Sequence, residues 1–184
     1  MWKRTGSFAV AAIVMASAAQ AQSRVGSDSA TRLTRFGRDM VYGTAEGLAF
    51  AGIDQLSDSP AQWGKGWSGY GKRAASNVGE FVIQEGVTEG LAAAMNRPLD
   101  YAHCECHGTG ARIGWAISQG FSDVLPNKKR MVAVPRIVGA FAGSFAQASW
   151  RPDTGPDKVR VALVNGATSM VIGVGINLWH EFVR

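Results

Sequence analysis

Five apolar segments, each broken off by turn-forming residues, make up most of this chain and predict helices. They run roughly from Thr31 to Leu56, Ser68 to Met95, Thr109 to Val124, Pro135 to Trp150 and Pro156 to Val183. Pro135 and Pro156 suit a first helical turn, where the missing N–H leaves no bond unmade. Asp153, Thr154 and Gly155 make a polar turn between the last two helices. Ser57 to Pro60 closes the first helix. Asn96-Arg97-Pro98 closes the second, because a residue ahead of proline leaves the α region. No stretch combines apolar/polar alternation with a hairpin turn, so no strand is expected. The fold class that follows is all-α: about five helices packed as one Gly/Ala-rich bundle.

Small residues recur at every fourth position within these segments. Gly43, Gly47 and Ala51 share a face of the first helix. Gly71, Ala75 and Gly79, then Gly86, Gly90 and Ala94, do so in the second. Gly110 and Gly114 open the third, Gly139 and Gly143 fall in the fourth, and Gly166 and Gly173 in the fifth. Glycine costs about 1 kcal/mol against alanine inside a helix. Its repetition therefore implies backbones that approach closely, as they do in membrane bundles and in tight soluble ones. A leucine at Gly47 or Gly90 is expected to overpack such a crossing.

Hydropathy narrows the choice. Val161 to Trp179 is a 19-residue stretch without formal charge, at the lower end of a spanning length. It contains Asn165, Thr168, Ser169 and Asn177, which are poor partners for lipid. The fourth helix carries Arg136, and the first two carry Glu46, Glu80, Glu85 and Glu89. Charges flank both ends of the fifth helix, so the Lys/Arg asymmetry of a polytopic protein is missing. A soluble or membrane-peripheral bundle fits these features better than a multi-span one, with contact through the last two helices left open.

The N-terminus sets the expected compartment. Met1 to Arg4 is basic, Phe8 to Ala18 is an uncharged Ala/Val-rich run of 11, and Ala19-Gln20-Ala21 is a small-x-small site. That order is the pattern of a secretory signal peptide, and the run is shorter than the ~20 residues of a span. Cleavage after Ala21 is expected, leaving 163 residues, 22–184, as a single helical domain in the periplasm or envelope. Net charge is +5, falling to +3 once Lys3 and Arg4 leave. The tightest basic cluster is Lys128-Lys129-Arg130, too sparse for a nucleic-acid surface but compatible with weak attraction to anionic lipid.

His103-Cys104-Glu105-Cys106-His107 is the densest cluster of ligand-type residues and holds both cysteines. His103, Cys104, Cys106 and His107 form a chemically sensible zinc or copper set. A tetrahedral site, however, usually draws on two separated elements, and c-type haem attachment needs Cys-x-x-Cys-His. An exported chain favours oxidation instead. The readings that stand are a Cys104–Cys106 or intermolecular disulfide, a metal site, and reduced thiols without a role. Gly108 to Gly114 has the glycine spacing of a dinucleotide turn but lacks the strand that precedes one, and it reads as a helix start.

The aromatic, basic run from Trp63 to Arg73 offers Trp63, Trp67, Tyr70, Lys72 and Arg73 as a surface for a sugar, a peptidoglycan fragment or a lipid headgroup. The alternative is a loop that plugs the bundle end. Trp63, Trp67, Trp150 and Trp179 lie near helix ends, as at a membrane interface. There is no Gly-x-Ser-x-Gly elbow and no His-Glu-x-x-His. Glu85 and Glu89 share a helix face at i,i+4, as His103 and His107 would in a helix; either pair suits chemistry, but glutamate pairs more often mark a solvated face, and His180 suits a helix C-terminus. Convergence of Glu46, Glu85, His103 and His180 in one pocket would point to chemistry.

The run Gln62 to Arg73, the Cys104-x-Cys106 loop and Ser149 to Pro152 ahead of an Asn/Gly-rich final helix resemble a group of small uncharacterised exported bacterial proteins. The resemblance covers most of the chain after the leader and implies an exported helical domain, with no activity attached. The function read from the chain is a non-enzymatic helical bundle of the cell envelope without a cofactor, peripheral to the membrane or self-associating, with another envelope protein or a second copy as partner. The alternatives are a metal- or redox-active protein built on the residue 103–107 loop and a hydrolase whose site forms only in three dimensions.

Overall fold

The computed structural model describes residues 29–183. The expected signal peptide lies outside the described residues. Helix α1 spans Ser29–Leu56, α2 Gly66–Ala94, α3 Thr109–Gln119, α4 Val134–Trp150 and α5 Lys158–Phe182. Short 3-10 turns at Ala61–Trp63 and Pro152–Asp157 precede α2 and α5. The described residues are therefore all-α in class, with five helices.

Helix ends follow local chemistry. The Ser57 hydroxyl donates back to Ile53 O at 2.9 Å, and Asp58 leaves α1 in the left-handed region at φ 54°. At the end of α2, Asn96 takes φ 50°, Asn96 N bonds Ala93 O and Arg97 N bonds Ala92 O at 2.8 Å. This is a Schellman cap with asparagine in place of the usual glycine, followed by Pro98. Pro135 sits in the first turn of α4 as expected. Pro156 instead belongs to the 3-10 turn, after a kink at Gly155, and α5 starts two residues later.

The expectation of no strands is corrected. β1, Ser122–Val124, pairs antiparallel with β2, Arg130–Val132, with Asp123 opposite Met131. Helix α3 consequently stops at Gln119 instead of running to Val124. Pro126-Asn127 forms the turn, closed by Lys128 N to Leu125 O at 2.8 Å, and Lys128 takes φ 61°. That is a three-residue hairpin loop with a left-handed third position. Strands of three residues are too short to show alternation.

The helices pack in the order α1, α2, α4, α5, α3. Some of the predicted glycine faces make these contacts and some do not. A Cβ on Gly43 would overlap the Phe81 ring, and one on Gly47 would lie 2.9 Å from Val78 Cγ2. Between α2 and α4, one on Gly139 would strike Thr88 and one on Gly143 would lie 2.9 Å from Gln84 Cβ and Glu80 O. Gly166 admits the Phe141 ring of α4, and Gly120 admits Val174. Gly71, Gly86, Gly90, Gly110, Gly114 and Gly173 face open space, so their spacing marks no crossing. Gly47→Leu should cost about 1–3 kcal/mol by overpacking. Gly90→Leu, against the expectation from spacing, should be neutral or slightly stabilising through helix propensity. Paired thermal melts check both, and equal losses would show that the two glycines are equivalent after all.

The interior is unusual in what it buries. Among the described residues the buried apolar side chains are Ala51, Ala74, Ala92, Ala116, Ala133, Ala140, Ala148, Ala162 and Met170, with Pro60 and Pro135. Among the described residues no Leu, Ile, Val, Phe or Trp is in that class. Leu33, Val41 and Val171 are 72%, 67% and 67% exposed, and Trp67 is 88% exposed. Buried polar groups include Arg35, Arg73, Gln119, Asp123, Gln147, His180 and Glu181.

Candidate functional site

The row of helices curves so that α1 and α5 face each other across a cleft of about 850 Å³, walled also by α2 and α4. Glu46, Phe50 and Asp54 come from α1, and Glu80, Phe81, Gln84 and Glu85 from α2. Arg136 and Gln147 come from α4, and Asn165, Thr168, Asn177 and His180 from α5. Helical spacing accounts for the placement. Glu46 and Phe50 are four apart, as are Phe81 and Glu85, so each pair shares a face.

The cleft's arginines are all committed to carboxylates. Arg35, 8% exposed, places Nε 2.9 Å from Glu89 and a terminal nitrogen 3.1 Å from Asp100. Burial alone would lower its affinity for the proton, but these two carboxylates outweigh burial and hold it more strongly basic than usual. Arg38 meets Asp39 at 3.3 Å and Arg151 approaches Asp54 at 3.8 Å. Arg136 stands 3.1 Å from the fully buried Asp123, and burial depresses its basicity despite that partner.

Three carboxylates have no such arrangement. Among the described residues, Glu46, Glu80 and Glu85 make no ion pair. Glu80 accepts from the Ser144 hydroxyl at 3.0 Å. Burial raises all three above the ordinary glutamate range. Glu85 is pushed up to about 7, by burial first and then by the neighbouring Asp39 and Glu89. The reading of Glu85 and Glu89 as a solvated face is thereby corrected. Both turn toward the cleft, because the outward side of α2 is the one carrying Gly86 and Gly90. Glu46, Glu85 and His180 line one cavity; His103 is not among its lining residues.

At the end of α5 lies a second polar cluster. Glu181, 2% exposed, accepts from Arg112 Nε at 2.6 Å, the Tyr101 hydroxyl at 2.8 Å and Cys104 N at 3.1 Å. Arg112 also donates to the Glu181 backbone oxygen. Burial raises the Glu181 pKa, but the bonds from Arg112, Tyr101 and Cys104 outweigh it and hold the carboxyl below its ordinary range. Tyr101 stacks on His180 at 6.0 Å and meets His103 edge-on at 5.3 Å. Burial, with His103 nearby, holds His180 below the usual imidazole range and favours the neutral ring.

This cluster pins the cysteine loop. Cys104 and Cys106 are bonded to each other, and Cys106 N donates to Cys104 Sγ at 3.3 Å. In that state neither sulfur is a thiolate. His103 leans toward Glu181 at 3.8 Å, while His107 is exposed. The four candidate metal ligands thus do not converge. Among the described residues no three His, Cys, Asp or Glu side chains are grouped to hold a metal ion.

The Trp63 to Arg73 run divides. Trp67 and Lys72 are exposed, and Tyr70 meets Trp67 edge-on at 6.2 Å while donating to Leu48 O at 3.1 Å. Trp63 receives the Arg151 guanidinium at 5.7 Å from its ring centroid. Arg73 does not belong to that surface. It is fully buried and donates to Ser59 O at 2.9 Å, Gln55 Oε1 at 2.5 Å, Gly64 O at 2.7 Å, Pro60 O at 2.8 Å and Asp58 Oδ1 at 3.4 Å. The planar fork of arginine suits such a set of fixed acceptors. Sequence reasoning missed this role; the one signal for it was a lone arginine in the first turns of a helix that follows a long polar connection.

No protein-family model matches the chain, and no solved structure matches it. The chain is similar to the erythronolide synthase EryA3 of Saccharopolyspora erythraea, at 29% identity over 123 residues. That match covers 58% of this chain and 4% of the synthase.

Proposed function

We propose that the protein is a non-enzymatic helical bundle of the cell envelope, exported by its N-terminal leader and held at a membrane surface by its apolar outer faces. The observation that carries this reading is the inverted distribution of apolar side chains. Alanine fills the interior, whereas Leu33, Val41, Val159, Leu163, Val164 and Val171 point outward. Fully burying a valine or leucine is worth about 1.5–3 kcal/mol, so a bundle that leaves this many outside forgoes much of its own stabilisation. On α5 the exposed Val159, Leu163 and Val164 lie beside the exposed Lys158 and Arg160. Apolar contact and attraction to anionic headgroups, about 1 kcal/mol per basic residue, would act together there. The segment Gly155–Phe182 is long and apolar enough to cross a membrane, with 22% of its most apolar window buried. Its Asn165, Thr168 and Asn177 line the cleft, which favours a helix lying against the bundle over one immersed in lipid.

Vesicle flotation tests the reading. The protein should float with phosphatidylglycerol-containing vesicles, less with neutral ones, and Val164→Glu combined with Val171→Glu should abolish flotation without changing helix content. Detergent-free protein that stays monomeric and never floats would overturn it. Protein recovered from the envelope should begin at Gln22 by intact mass. Self-association is the second reading, favoured by the same exposed α5 face, and would appear as a dimer that ignores vesicles.

A further inference from the structure

We propose that the interhelical cleft is a binding site for an elongated organic cation carrying two or more protonated amines, of the polyamine class. A cavity of about 850 Å³ falls within the roughly 300–1,000 Å³ of sites that enclose small organic ligands. Its charge is unbalanced in one direction. Arg35, Arg38, Arg136 and Arg151 are each against a carboxylate already, so the cleft has no cation left over for an anion. Glu46, Glu80 and Glu85 line the cavity and form no ion pair among the described residues; the guanidiniums that attract Glu80 and Glu85 (Arg151, and Arg35 with Arg136) are each paired with another carboxylate.

A desolvated carboxylate whose nearest cations are already paired elsewhere holds its proton or takes a partner, and burial displaces all three of these upward, Glu80 despite Arg151 and Glu85 despite Arg35 and Arg136. Their spacing selects the shape of that partner. Glu80 and Glu85 are five residues apart on α2, roughly 7–8 Å along the helix axis, and Glu46 stands on the adjacent helix α1. Separate ammonium groups on one flexible chain can reach such points, whereas a single compact cation can meet only one of them. A metal ion needs several oxygens converging at about 2.0–2.6 Å, and no such group exists among the described residues. Phe50 and Phe81, also in the wall, add apolar surface suited to the methylenes between the ammonium groups.

Calorimetric titration of the full chain with spermidine at pH 8 tests the site. One saturable event is expected. Glu46→Gln and Glu85→Gln should each weaken it about tenfold, as for loss of one desolvated charge pair. Glu105→Gln, at a carboxylate 85% exposed and bound to Lys128 outside the cleft, should leave it unchanged. Glu85 is faced by Asp39 from α1, Glu89 on α2, Arg35 and Arg136, and burial with the two carboxylates pushes it up to about 7. Binding should therefore release protons near that pH, read as a heat that varies with the buffer. Backbone amide exchange of α2 around Glu85 on the unmutated chain supplies a readout that needs no variant; spermidine should slow it. Absence of saturable binding, equal loss with Glu105→Gln, the same response to magnesium at matched ionic strength, or amide exchange unchanged by spermidine would each overturn the proposal. No lipid enters these measurements, so their outcome is separate from that of vesicle flotation.

Discussion

Arg73→Leu should destabilise the fold by about 3–5 kcal/mol, the cost of leaving buried acceptors without their charged donor. The guanidinium is fully buried and ties Gln55 at the end of α1 to the carbonyls of Ser59, Pro60 and Gly64. Leucine fills part of the volume but donates nothing, and those carbonyls lie too deep to recover water in full. Arg73→Lys keeps the charge but lacks the planar fork, so it should fall between wild type and leucine. Asp58→Asn should cost much less, because Asp58 is 39% exposed and only 3.4 Å from one arm of the guanidinium. Urea midpoints measured at constant slope check the series. A midpoint for Arg73→Leu within error of wild type would mean that residues 57–65 hold their conformation unaided.

Glu181→Ala is the second large effect, about 2–4 kcal/mol once solvent screening at the half-exposed Arg112 is allowed for. It strips a buried carboxylate from the Arg112 guanidinium, the Tyr101 hydroxyl and the Cys104 amide together. The cysteine loop should then loosen from α5, seen as faster amide exchange at Cys104 and faster reduction of the Cys104–Cys106 bond. The pH dependence has a definite sign. The folded Glu181 pKa lies below its unfolded value of about 4.5, so its contribution is complete above that pH and is lost as pH falls through the folded value. Wild type should thus lose more stability than Glu181→Ala on acidification below about pH 4.5. Parallel acid titration curves for the two would place the stabilisation of this loop elsewhere.

The helices were legible because their signals are local. Pro135 opens α4 where its ring angle suits a first turn, and Asn96-Arg97-Pro98 stops α2 through a left-handed residue and a proline. The β1–β2 hairpin went unread for a local reason too. Pro126-Asn127 is a turn signal, but three residues on either side are too few to show a period of two. Gly47 and Gly90 illustrate the opposite case. Each has a small residue four positions away, yet one abuts Val78 and the other faces open space. Spacing along a helix specifies a face but not which neighbour that face meets.

The same distinction runs through the candidate site. Glu85 and Glu89 on one stripe of α2 read as a solvated face, and so they would be if α2 had turned that stripe outward. The crossing with α4 at Gly139 and Gly143 sets the rotation of α2 and brings Glu80 and Glu85 into the cleft. Glu181, apparently a terminal charge, is buried because Arg112 and Tyr101, distant in sequence, close over it. The sequence by itself determined the helical class, the number of helices and nearly all of their ends, since backbone hydrogen bonds within a helix and the residues that break them act over four or five positions. Only the tertiary structure decided which glycines are crossings, which carboxylates lose their water and which arginine holds a connection together. Those outcomes depend on helix rotation and on contacts beyond the reach of a helical turn, from 18 positions for Gln55 and Arg73 to 69 for Arg112 and Glu181, for which a one-dimensional pattern carries no term.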